Sequence, residues 1–284
     1  MTSATLDPVM EVTALRKVFR SRGSVRRQRT ETVAVANLSF SLAGGESLAV
    51  VGESGSGKTT VARMIVGLER ATSGECMVAG RPRRLDRSPS RRERRRWGRE
   101  TQLVPQDPYG SLDPQQRASS CLDEVLKFHF GQPPSQRRHR IQELLDLVGL
   151  DSRIARAFPR EMSGGQRQRL AIARAMAAEP LVLLLDESMA ALDVSIQAQI
   201  LNSLADVRER TGVSLLLISH DLAVVRQVAD RTIVMESGEV VEAGDTDSVL
   251  SRPQHPYTQL LLASVPRKGW VPQRAATHDP ARRT

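Results

Sequence analysis

Three short runs, Ser47–Gly52, Leu181–Asp186 and Val213–Ser219, are apolar almost throughout, the pattern of strands buried on both faces. Each is followed by helical spacing. KTTVARMIVGL comes after Gly57, VSIQAQILNSLADVRER after Asp193, and DLAVVRQVAD after His220; in the second, Ile196, Ile200, Leu201 and Leu204 share one stripe. Strands alternating with helices predict an α/β fold with a mostly parallel sheet covered on both sides.

The flanks follow another period. Met10–Val18, Thr32–Leu42 and Ile233–Ala243, the last with a Ser237-Gly238 turn, predict antiparallel strands and a hairpin, and so an N-terminal antiparallel β layer. From about residue 108 to 162 the strand pattern vanishes. There IQELLDLVGL sets Ile141, Leu144, Leu145 and Val148 on one stripe, which predicts an α-helical insertion subdomain. The polar, proline-bearing end, 267–284, is expected to be disordered.

Composition narrows this little. At 284 residues, 40% apolar and 26% charged, the chain has enough apolar content for a sizeable core and too much for wholesale disorder. No run reaches the ~18 apolar residues of a membrane span, and MTSATLDPVMEV lacks the basic start and apolar stretch of a secretory signal, so a cytosolic location is expected. Cys76 and Cys121 are too few for a disulfide framework or a four-thiolate cluster and are expected to be buried and reduced. The net charge of +9 is carried by arginine: only Lys17, Lys58, Lys127 and Lys268 are lysine, a bias that reads as GC-rich codon usage as much as a partner. Aromatics at 3% leave few platforms for stacking bases, and no nucleic-acid partner is expected. The run Arg91–Arg96 reads first as a solvated helix or loop face, with phosphate or lipid headgroups as the other candidate ligands.

Candidate chemistry changes the picture more. Gly52-Glu53-Ser54-Gly55-Ser56-Gly57-Lys58-Thr59 matches GxxxxGK(S/T) between a predicted buried strand and a predicted helix, the context a phosphate loop needs. Glycines let the backbone wrap the phosphates, N–H groups and the helix N-terminus (Thr60 included) supply positive potential, Lys58 reaches the terminal phosphates, and the Thr59 hydroxyl ligates Mg²⁺. Leu181–Leu185 ends in Asp186 and Glu187 at the carboxyl end of a strand, where such sheets place ligands: Asp186 to hold Mg²⁺, directly or through water, and Glu187 to polarise the attacking water. Ser163-Gly164-Gly165-Gln166 opens another helix, with Ser163 as its cap and a second anion site at its N-terminus.

This order of motifs resembles the ABC transporter ATPases over residues 10–266. The resemblance implies a P-loop NTPase core binding ATP and Mg²⁺, with an ATPase domain over 1–266. It makes Gln106 the Q-loop glutamine and a Mg²⁺ ligand, Ala190–Asp193 the D-loop with Asp193 its acid, His220 the switch histidine, and Phe19 the aromatic that stacks on adenine, although the basic stretch Arg20–Arg29 makes that spacing atypical. VPQDPYGSLDP, RQRLAIARA, SHDLAVV and above all HPYTQLL, residues 255–261 within an extension at about 244–266, resemble the oligopeptide and dipeptide importer ATPases and their nickel and glycoside relatives. Many of those carry a C-terminal iron–sulfur cysteine cluster; here no cysteine follows Cys121.

The resemblance further implies a dimer in which the Ser163–Gln166 signature of one subunit closes on the ATP of the other. Glu187, His220 and Gln106 act at the γ-phosphate, and Pro108–Leu112 dock a short cytoplasmic helix of a permease. Two permease subunits, an extracellular solute-binding protein and the cytoplasmic face of the membrane complete the expectation. The alternative is a soluble ABC protein acting on the ribosome or nucleic acid, which would use the net charge but usually holds two cassettes in one chain. Two positions depart from the family: Ser188 stands where Pro is usual, and Ala190 where Ser is usual.

Overall fold

The computed structural model describes residues 8–22, 29–105, 107–187 and 194–264. Its strands are β1 (Pro8–Arg22), β2 (Arg29–Ala43), β3 (Ser47–Val51), β4 (Ser73–Val78), β5 (Arg81–Arg83), β6 (Thr101–Val104), β7 (Val182–Asp186), β8 (Ser214–Ser219), β9 (Arg231–Glu236) and β10 (Glu239–Asp245). They form one sheet in the order β5-β4-β1-β2-β10-β9-β3-β8-β7-β6. The helices are α1 (Lys58–Ile65), α2 (Arg91–Glu100), α3 (Pro108–Ser111), α4 (Ala118–Phe130), α5 (Pro134–Leu147), α6 (Gly164–Met176), α7 (Val194–Thr211), α8 (Leu222–Val228), α9 (Thr246–Ser251) and α10 (Pro256–Ala263).

The sheet has two characters. From β9 through β3, β8 and β7 to β6 every pairing is parallel, whereas β2, β1, β4 and β5 pair antiparallel, as the flanking pattern predicted. The β9–β10 hairpin turns at Ser237 (φ 49°) and Gly238 (φ 86°), both positive as a two-residue primed turn requires.

The central strands are buried along their whole length because alternate side chains serve two different cores. Ala49, Val51, Leu183, Leu185, Leu215 and Leu217 face one core with α4 to α8. Leu48, Val50, Val182, Leu184, Leu216 and Ile218 face the other, with α1, Trp97 of α2 and the antiparallel layer. The predicted insertion holds helices and no strand among its described residues: Ile141, Leu144, Leu145 and Val148 pack with Leu122 and Leu126 of α4 and with Leu170 and Ile172 of α6. Cys76 and Cys121 are buried and free, and burial pushes the Cys76 thiol up to about 11. Among the described residues no helix is long and apolar enough to cross a membrane.

Some elements differ from the predicted pattern. α1 stops at Ile65 instead of running on to Leu68, because Gly67 (φ 78°) lies under the Trp97 ring, 2.9 Å from where a Cβ would sit. The Arg91–Arg96 run forms α2, a helix polar nearly all round that buries only Trp97 and is opened by a reciprocal Ser90–Glu93 capping box. The 267–284 tail lies outside the described residues.

One buried cation ties these parts together. Arg83 of β5 donates to Ile65 O (3.1 Å), Glu100 Oε2 (2.9 Å) and Thr101 Oγ1 (3.0 Å), linking the end of α1 to the α2–β6 junction. Its side chain is fully buried and that of Glu100 nearly so. Removing one partner of such a pair strands the other charge. Arg83→Leu is therefore expected to cost about 3 kcal/mol and to lower Tm by roughly 5–10 °C, with Arg83→Leu/Glu100→Leu recovering most of the loss; thermal denaturation of the three proteins checks this.

Candidate functional site

The loop 52–57 leaves the buried end of β3 and enters α1 through backbone too crowded for side chains. A Cβ at Gly52 (φ 154°) would lie 2.2 Å from Met235 O, and one at Gly57 (φ 100°) 2.1 Å from Ala34 O. Gly57 caps α1 without a side-chain bond, so the first-turn N–H groups of Lys58, Thr59 and half-buried Thr60 head the helix at the loop. Glu53, Ser54 and Gly55 are exposed, and Ser56 is buried, its carbonyl accepting from Gly238 N (3.1 Å). Lys58 is buried inside this turn. Its ammonium donates to Gly52 O (2.7 Å), Glu53 O (2.7 Å) and Ser56 Oγ (3.3 Å). Burial lowers its pKa, against the pull of Glu187, Asp186 and Glu53.

The parallel pairing of β7 with β8 brings the acids to the same edge. Thr59 Oγ1 donates to Asp186 Oδ1 (3.2 Å), and burial pushes the Asp186 carboxyl above its usual range, with Glu187 adding to the effect and the Thr59 bond opposing it. Glu187 takes a left-handed backbone (φ 45°), held by its N–H to Ile218 O (2.9 Å), and its Oε1 lies 3.4 Å from His220 Nδ1. Asp221, next to His220, caps α8 and accepts from Gln197 of α7 (3.1 Å).

The Ser163 motif forms a reciprocal capping box: Gln166 N donates to Ser163 Oγ (3.2 Å), and Ser163 N to Gln166 Oε1 (2.9 Å). Gly164 is half-buried, and Gly165 is pressed so close to α7 that a Cβ would lie 2.7 Å from Ile196 Cγ2. Among the described residues no hydrogen bond or ion pair joins Ser163–Gln166 to the phosphate loop. Phe19 on β1 is 41% exposed, with Lys17 Nζ 4.6 Å from its ring centre while the same ammonium donates to Glu69 Oε1 (2.6 Å) and Arg70 O (2.7 Å). Gln106, Ser188, Ala190 and Asp193 lie outside the described residues.

Two features escaped the sequence reading. Tyr257 Oη accepts from Glu53 N (3.0 Å), so α10 reaches the 52–57 loop. A cleft of ≈ 770 Å³ runs from Thr59 and Asp186 between the sheet and the helical insertion to Leu68 and Phe128, which are 70% and 57% exposed.

Residues 35–190 match the family model described as ABC transporter. The chain belongs to the ABC transporter ATPases. Residues 241–281 match a second model, oligopeptide/dipeptide transporter, C-terminal region. The "Probable peptide ABC transporter ATP-binding protein y4tS" of Sinorhizobium fredii is 42% identical over 262 residues, 92% of this chain and 73% of that protein. Glutathione import ATP-binding protein GsiA of Escherichia coli K12 is 44% identical over 262 residues, although the chain spans only 41% of its length. Among solved structures, the ATP-binding cassette MJ0796, a dimer bound to ADP and Pi in a post-hydrolysis state, superposes with a TM-score of 0.72 at 27% identity over 84% of this chain and 98% of that one. CbiO1 of Clostridium perfringens, at 24% identity, has a TM-score of 0.74 over 87% and 92% and shows the same fold.

This ABC ATPase thus binds and hydrolyses ATP on a P-loop fold. Its acid end would suit Mg²⁺: the Thr59 hydroxyl and the Asp186 carboxylate, 3.2 Å apart, are hard oxygen donors, and burial raises the carboxyl pKa against the opposing pull of Arg63 and Lys58. Because the raised pKa means that protonation stabilises the nucleotide-free fold, the ionised Asp186 costs stability at neutral pH, a cost that fades as pH falls below its folded pKa. Asp186→Asn is therefore expected to raise the Tm of the nucleotide-free protein by about 2–4 °C while abolishing Mg²⁺-dependent turnover; differential scanning fluorimetry beside a phosphate-release assay checks both.

Proposed function

We propose that this ATPase powers a membrane importer of oligopeptides, dipeptides or related solutes, acting at the cytoplasmic face. The observation that carries it is the joining, in one chain, of the ABC transporter match over 35–190 with the oligopeptide/dipeptide-type region matched over 241–281. That region supports the importer reading over the ribosome-acting alternative.

In this reading Lys58 leaves the carbonyls of its own loop for the terminal phosphates, and the open N–H groups at the start of α1 bind them. Thr59 and Asp186, with Gln106, hold Mg²⁺, which when bound neutralises charge on the phosphate oxygens. Glu187 orients and polarises the attacking water, and His220, 3.4 Å from it, steadies that carboxylate and faces the γ-phosphate. Phe19 offers adenine the exposed part of a ring that the Lys17 ammonium approaches. Ser163–Gln166, unattached to the loop of its own chain, present the α6 N-terminus to the nucleotide of a second ATPase, with Asp193 facing the same partner.

The cleft supplies the mechanical link. It joins Thr59 and Asp186 to exposed Leu68 and Phe128, and its wall includes Gly110 and Ser111 of the segment expected to receive a permease helix. Two permease subunits and an extracellular solute-binding protein complete the system, the latter choosing the cargo. Since Ala190 lacks the usual hydroxyl and Ser188 replaces the usual Pro, the second ATPase is a non-identical chain, giving two unequal sites.

Glu187→Gln is expected to leave ATP binding intact, slow hydrolysis at least ~10²-fold and accumulate a closed dimer; gel filtration with Mg²⁺-ATP reads the dimer, and normal turnover would show that another group orients the water. Phe128→Asp is expected to leave basal ATPase activity within twofold and to abolish co-purification with the permease pair. Co-purification at the wild-type level would place the docking surface elsewhere.

A further inference from the structure

The phosphate loop is held from outside the cassette's own motifs. The peptide unit joining Gly52 to Glu53 is bound on both edges: its carbonyl, Gly52 O, accepts from Lys58 Nζ (2.7 Å), and its N–H, on Glu53, donates to Tyr257 Oη (3.0 Å). Gly52 has a backbone that side chains rarely adopt, with Met235 O where a Cβ would be, so this peptide is the hinge on which the loop leaves β3.

Tyr257 is itself held firmly. Its side chain is buried, and burial pushes its hydroxyl above the usual phenol range, so it stays protonated and accepts through its lone pairs. It lies in the first turn of α10, capped by His255, whose Nδ1 accepts from Tyr257 N (3.2 Å). The stretch before it is fastened to β10, since the Glu242 carboxylate accepts from Gln254 N (2.9 Å) and His255 N (3.1 Å). Although burial pushes the other way, these bonds keep Glu242 below its ordinary pKa, so the anchor is charged at neutral pH. The path is continuous: β9 beside β3, the β9–β10 hairpin, Glu242, the His255 cap, the Tyr257 hydroxyl and the loop.

We propose that Tyr257 is a positioning residue for nucleotide binding: its hydroxyl latches the Gly52–Glu53 peptide, keeping the loop in its phosphate-binding shape when the Lys58 ammonium gives up the Gly52 carbonyl for phosphate. With lysine gone from one edge, the tyrosine is what still fixes that peptide plane. Tyr257 touches no reacting atom, so its loss weakens binding and leaves the chemical step alone. The proposal rests on the phosphate-loop reading of Gly52–Thr59, and the latch can be tested without it.

The test uses the full chain carrying Tyr257→Phe, which keeps the buried ring and removes only the oxygen. Hydrogen exchange without nucleotide is expected to rise about tenfold at the Glu53 amide and to stay unchanged in β3, β7 and β8. Binding of a fluorescent ATP analogue is expected to weaken about 3–10-fold, the yield of one lost hydrogen bond, and KM for ATP to rise in parallel, with kcat within twofold and Tm within about 2 °C. Unchanged exchange at Glu53 overturns the latch, whatever the loop binds. Raised exchange with unaltered nucleotide affinity overturns the positioning role. Faster exchange throughout the core with a large fall in Tm also overturns it, reducing Tyr257 to packing. Lys58→Ala, run in parallel, separates the two readings: if it binds the analogue as wild type does, the phosphate-loop assignment fails while the exchange result still decides the latch.

Discussion

The site depends on how closely backbone passes backbone. Ala34 O of β2 and Met235 O of β9 occupy the space that β-carbons at Gly57 and Gly52 would need, so the loop is threaded between two strands of the sheet. A methyl group at either position would push the loop from its bed and carry with it the start of α1, and hence Lys58 and Thr59. The antiparallel layer is thus a wall of the 52–57 loop, through β2 directly and through β10, which seats β2 beside the β9 hairpin. The sheet order and the chemistry are one constraint seen at two scales.

How much of this could be read in the chain follows from burial. β3, β7 and β8 are legible because both faces are covered and the run is apolar throughout. β5 has three residues and β6 four, and β4, though six residues long, buries only Cys76 and Val78, so none carries a recognisable period. α2 holds one buried residue in ten, and its only local announcement is the Ser90–Glu93 cap. In the site, charged groups are legible because chemistry fixes residue type and spacing, whereas their conformations are not. The left-handed backbone of Glu187 and the ties of the Lys58 ammonium have no signature in the letters. The Tyr257–Glu53 bond joins positions 204 apart, brought together only by the β9–β10 hairpin and its Glu242 anchor.

Under the proposed function a single helix connects the two working faces. α6 begins at the Ser163 cap, and its farther turns, with Ala171, Arg174 and Ala175, line the cleft that holds Leu68 and Phe128. Arg174 reaches from it to the carbonyl of Ser111 in α3. A displacement felt at the capped end is therefore delivered along a rigid rod to the cleft, with the Gly165–Ile196 contact as the bearing against α7.

Lys17 and Lys58 share one donor geometry. Each ammonium spends its hydrogens in three directions at once: Lys58 on two carbonyls and a hydroxyl within one loop, Lys17 on a carboxylate, a carbonyl and an aromatic face. A planar guanidinium with five donors in a fixed fork cannot enter so small a tripod. In a chain with only four lysines, Lys17, Lys58, Lys127 and Lys268, these two sit where three donors must diverge from one small nitrogen. Arginine at either position would bring a wide planar fork to a place shaped for a compact tetrahedral ammonium, at the 52–58 turn and at the edge of β1 alike.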